Sequence, residues 1–131
     1  MKLARLLTIL LSLSVFVSLS AFQCGKEEPK LLSGKIYKAR LEIAGMCGNY
    51  TFSNVDGQVD PKLVEASWTD PQTSKVYKNA FTIADPCGFP SGIKEGETFS
   101  FRMVTDPLKG CAMCAAYYPT PGKKLNIKVI R

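Results

Sequence analysis

The sequence predicts an all-β protein: a single small antiparallel sandwich or barrel of about seven strands, stapled by disulfides. Three observations carry this expectation. From Leu31 onward the apolar residues recur with a period of two and not 3.6, the mark of strands with one buried face. Clusters of Gly, Pro, Asp and Asn break the chain at short intervals, as turns require. Beyond Cys24 stand four more cysteines, an even set. Immunoglobulin-like and OB-like architectures both fit such a pattern, and the pattern does not choose between them.

The elements follow in order within residues 34–131. Lys35 to Ala44 alternates, with Tyr37, Ala39, Leu41 and Ile43 on one face and Lys38, Arg40 and Glu42 on the other, which predicts a half-buried strand. Gly45 and Gly48 bracket Met46-Cys47 and predict a bulge or bend, after which Tyr50 and Phe52 are the next inward pair. Asp56-Gly57 is a tight-turn dipeptide. Asp60-Pro61 has the form of a helix cap, but Val64, Ala66 and Trp68 share one strand face, so a strand is expected by Val64 with Trp68 in the core. Asp70 to Ser74 is a loop of turn formers, and Val76 to Ala84 a strand with Tyr77, Phe81 and Ile83 on one side. Asp85 to Gly92 holds too much Pro and Gly for regular pairing. Lys94-Glu95-Gly96-Glu97 turns into Thr98 to Val104, with Phe99, Phe101 and Met103 inward. Turn residues at Asp106-Pro107 and Lys109-Gly110 precede Cys111 to Tyr118. Pro119-Thr120-Pro121-Gly122 then leads to a last strand, Lys124 to Ile130, with Leu125, Ile127 and Val129 inside.

The first residues have a different character. Met1 to Arg5 is a short basic segment, and Leu6 to Phe22 is an apolar run of 17 residues punctuated by Thr8, Ser12, Ser14, Ser18 and Ser20. That is short and polar for a permanent span, so residues 1–23 read as a signal peptide. Ser18-Leu19-Ser20 ahead of Ala21 offers a conventional cleavage site, which would release a soluble periplasmic or secreted protein. The other end is Cys24, placed directly after the apolar run and followed by Gly25-Lys26-Glu27-Glu28. This stretch resembles the start of short bacterial lipoproteins of the Bacteroidota type, where a lysine-plus-acids signal follows the modified cysteine. The resemblance covers the leader and that stretch only. It implies a lipid on Cys24, a linker over residues 24–33, and attachment to the outer membrane with the domain exposed at the cell surface. Such a chain is anchored to the membrane and does not span it.

Composition narrows the chemistry. The chain has 131 residues, enough for one domain and too few for two comfortable cores. The 108 that follow residue 23 bury about 60–70% of their unfolded surface on folding, so cross-links would help. Of 17 basic and 11 acidic residues, the leader holds two basic and no acidic ones, which leaves a mild positive excess with no run longer than Lys123-Lys124. Nucleic-acid binding needs a clustered basic stripe with aromatics, and none is visible. The sequence contains no histidine, which excludes Ser-His-Asp and Cys-His nucleophiles and His-held zinc or copper. Eleven acids leave a carboxylate pair open, but no spacing singles out two of them. No catalytic residue, metal site or cofactor is assigned.

In an exported protein Cys47, Cys87, Cys111 and Cys114 most simply form two disulfides, among three connectivities. An extended Cys111–Tyr118 segment would aim Cys111 and Cys114 to opposite faces, favouring separate bonds to Cys47 and Cys87; a turn would allow a local Cys111–Cys114 bridge. The same Cys111-x-x-Cys114 spacing carries the alternative of a small thiol–disulfide redox protein, although no strand–CxxC–helix unit is apparent. A secreted protease inhibitor is a further alternative, with Asp85 to Gly92 as its exposed loop. The leading expectation is an envelope domain that binds a protein or glycan partner or serves structurally. Tyr117, Tyr118 and Pro119 form its candidate binding rim, since adjacent residues of an extended segment point oppositely and leave one ring exposed.

Overall fold

The computed structural model describes residues 31–105, 112 and 114–130. Its strands are β1 (Tyr37–Ala44), β2 (Tyr50–Asp56), β3 (Glu65–Thr69), β4 (Val76–Ile83), β5 (Thr98–Met103), β6 (Lys124–Leu125) and β7 (Ile127–Ile130). Short 3-10 turns stand at Met46–Gly48 and Pro86–Gly88. Among the described residues no helix is long and apolar enough to cross a membrane.

The alternation read in β1 is the alternation found: Tyr37, Ala39, Leu41 and Ile43 are buried while Lys38 and Arg40 face solvent. Burying one face fixes register, because a slip of one residue would turn that whole set outward. β1 pairs antiparallel with β2 on one side and β5 on the other, and the order across the sheet is β3-β4-β2-β1-β5-β7. β6 and β7 belong to one run interrupted at Asn126, whose carbonyl accepts from the Val104 N–H at 3.0 Å. β7 pairs with β5, whereas β6 pairs with β4 in the parallel sense, Thr82 opposite Lys124 and Ile83 opposite Leu125. The circuit β4-β2-β1-β5-β7/β6 therefore returns to β4. That closure gives the expected small sandwich or barrel its barrel-like form. Its one parallel contact departs from an all-antiparallel expectation, and β3 joins β4 outside the circuit.

Aromatic rings fill the interior. Phe52 lies 5.4 Å from Phe81, 5.1 Å from Phe89 and 5.5 Å from Phe99, ring centre to ring centre, at the spacings aromatic pairs favour. Phe89 comes from the irregular Asp85 to Gly92 segment, which the inhibitor alternative would need as an exposed loop. The Asp85 carboxylate accepts from the Cys87 N–H, a 3-10 turn follows, and Phe89 is delivered buried into the core.

Four local expectations change. Tyr77 does not share a face with Phe81 and Ile83: Asn79 adopts a left-handed φ of 50°, breaks the alternation, and sends Tyr77 and Ala80 to a second cluster with Ile43. Trp68, expected in the core, is half-buried against that second cluster, stacked on Tyr77 at 6.0 Å. Val64 is buried but precedes β3, and Ala66 is exposed, because β3 is an outer strand. Residues 114–118 form no strand, so the count of seven is reached by the break at Asn126 that divides the last strand in two.

Candidate functional site

β1 and β2 are joined by a hairpin turn that bends at Cys47, a non-glycine residue with φ of 60°. A left-handed residue of this kind costs about 1–2 kcal/mol, so something must hold it. Cys47 is bonded to Cys114, with Cα atoms 5.4 Å apart. The Asn49 side-chain amide donates to the carbonyls of both Met46 and Ala116, at 2.7 and 3.0 Å, and ties the 114–118 segment to the same turn. Gly45 makes the approach feasible, since a Cβ there would collide with the Asn49 carbonyl and crowd Tyr118. Beside the bond lies an apolar recess of about 350 Å³, whose lining includes Tyr50, Phe89, Pro86 and Ala112.

The predicted site residues can now be placed. Cys24 and Cys111 lie outside the described residues. Cys114 is engaged by Cys47, which rules out a local Cys111–Cys114 bridge in this state; Cys87 is also disulfide-bonded. Tyr117 is 80% exposed, while Tyr118 and Pro119 are half-buried, so the rim presents one ring and not a platform.

Tyr118 is held from below. Its hydroxyl donates to Asp70, a carboxylate only 1% exposed in the β3–β4 turn, which also accepts from the Thr73 hydroxyl at 2.6 Å and the Gln72 N–H at 3.0 Å. These donors, the Thr73 hydroxyl foremost, hold the Asp70 carboxyl below its ordinary value of 3.8 against the opposing effect of burial. Burial, then the bond to Asp70, raises the Tyr118 phenol above its ordinary value. A carboxyl depressed in the folded state adds stability above its unfolded pKa, and that stability is lost as pH falls through the folded pKa. The urea midpoint is thus expected to drop as the pH falls below the ordinary carboxyl value of 3.8, partly through Asp70, and Asp70→Asn to flatten that limb. Equal slopes in both proteins would contradict this role.

A second concavity, which the sequence did not single out, crosses the outer face of β1, β2 and β4. β2 and β4 pair only at Phe52–Phe81 and Ser53–Ala80. Beyond that point the bulge at Asn79 coincides with the end of pairing, and a groove of about 370 Å³ lies over Asn54, Val55 and Val76 to Asn79. Arg40 and Glu42, two residues apart and so on one face of β1, line its far wall. Glu42 Oε1 accepts from Arg40 Nε at 2.8 Å and from the Ser53 hydroxyl, which fixes the carboxylate in a wall where its side chain is 7% exposed. Lys75 Nζ sits 4.7 Å above the Tyr77 ring, a cation–π contact that orients the ammonium. Lys78 and Asn79 are exposed on the same strand. The shared face of Arg40 and Glu42 was legible in the alternation of β1. The approach of Lys75 to Asn79 depends on the β2–β4 register and a bulge that no residue type announces.

Among the described residues no three His, Cys, Asp or Glu side chains gather as a metal site. Comparison with protein-family models, with curated proteins and with solved structures finds no match for this chain.

Proposed function

We propose that this chain is exported, held at the outer membrane by a lipid on Cys24, and serves there as a binding domain carried on the linker 24–33. The anchor rests on the leader, on Cys24 at the end of its apolar run, and on Gly25-Lys26-Glu27-Glu28. Four further cysteines are able to satisfy one another without Cys24, and Cys47 and Cys114 do so.

The observation that carries the binding role is the groove across β1, β2 and β4. It is a preformed concavity of about 370 Å³ on a closed barrel, within the size range of small-ligand sites, walled by a fixed Arg40–Glu42 pair and apolar Val55 and Val76. Polar groups positioned on rigid strands cost little to order when a ligand arrives.

Intact mass of the protein extracted from membranes tests the anchor. A chain beginning at Cys24 and carrying diacylglycerol is expected, with the mass deficit of two disulfides. Cys24→Ala should move the protein to the soluble fraction. An unlipidated chain beginning at Ala21 would overturn the anchor.

A further inference from the structure

The donors and acceptors left in the groove define what it takes. Arg40 commits Nε to Glu42 and makes no other side-chain bond among the described residues, so its two terminal nitrogens are available as a fork. Lys75 and Lys78 add two ammonium groups that line the same groove, giving three cations against the single carboxylate of Glu42. The lining therefore favours an anion, and the planar fork of Arg40 matches a carboxylate in a bidentate fashion. An anion alone is not enough. Among the described residues Glu42 Oε2 has no hydrogen-bond donor, and the exposed Asn79 amide supplies both a donor and an acceptor. Those acceptors need hydroxyl donors from the ligand. Inorganic phosphate near neutral pH has only one or two hydroxyls to give, all on the charged centre, and would bring that charge directly against Glu42. Val55 and Val76, each about half exposed, add an apolar floor suited to the C–H face of a sugar ring.

We propose that this groove binds a hydroxylated carboxylic acid of one to two sugar rings, the class of the uronic acids, with its carboxylate on Arg40 and its hydroxyls toward Glu42 and Asn79. This names the ligand class of the binding role given above and does not depend on the anchor at Cys24.

Titration calorimetry of the full-length protein in detergent, with digalacturonate, maltose, inorganic phosphate and a short single-stranded oligonucleotide as probes, decides it. Digalacturonate is expected to bind at least about tenfold more tightly than uncharged maltose, weakening as salt is raised. Arg40→Gln and Lys78→Gln should each weaken it about five- to tenfold. Lys78 is exposed, so that variant should keep the wild-type melting temperature and separates lost binding from lost folding. Phosphate or the oligonucleotide binding as tightly as digalacturonate would overturn the acid-sugar class. Maltose binding equally well, with the same sensitivity to Arg40→Gln, would overturn the class but sustain the binding role. No heat with any probe would overturn the class and remove the groove as support for the binding role.

Discussion

Replacing Cys47 and Cys114 together by serine should lower the stability of the protein by about 2–4 kcal/mol and leave a folded but weaker barrel. The bond joins residues separated by 67 positions, and closing so long a loop in the unfolded chain removes entropy equivalent to about 4 kcal/mol. Part of that is returned, because Cys47 sits at φ 60° and a turn freed from the bond relaxes a backbone strain of about 1–2 kcal/mol. For a domain whose total stability is about 5–15 kcal/mol, the net loss is a large fraction. The single tryptophan, Trp68, reports it conveniently: half-buried on Tyr77 in the folded state, it is released on unfolding. Urea titration followed by its fluorescence should show a lower midpoint at similar slope. A midpoint unchanged within error would mean that the strand circuit alone fixes the 114–118 segment.

The larger loss is expected from Phe52→Ala, about 3–5 kcal/mol, since a fully buried ring is removed and the cavity left behind collapses only in part. Phe52 has no exposed surface and touches rings from three other elements, Phe81 of β4, Phe99 of β5 and Phe89 of the segment after β4. It also occupies the point where β2 pairs with both β1 and β4, opposite Leu41 and Phe81. A cavity there loosens the circuit from the inside. Val55→Ala, on the same strand but about half exposed, should stay within about 0.5 kcal/mol. Thermal melts of the two variants beside the parent check the contrast, and near-equal melting temperatures for Phe52→Ala and the parent would refute this packing.

Much of the fold was legible because one-sided burial imposes a period of two. Tyr37, Ala39, Leu41 and Ile43, and again Phe99, Phe101 and Met103, declare their inward faces in the sequence and lie there in the structure. The period of two fails where the backbone leaves the extended region. Asn79 looks like any polar strand residue, yet its left-handed conformation reverses the faces of Tyr77 and Phe81. Phe89 is hidden in a Pro- and Gly-rich segment that carries no periodicity, although it packs as deeply as the strand residues around it.

By itself, then, the sequence determined an all-β domain with an even set of cysteines beyond Cys24, because alternation and count are local properties of a chain. Only the tertiary structure decided that β6 closes onto β4, that Cys47 takes Cys114, and that Arg40, Glu42, Lys75 and Asn79 wall one groove. Each of those joins residues far apart in sequence, and such pairings are selected by the packing of the whole core, which no short window of residues contains.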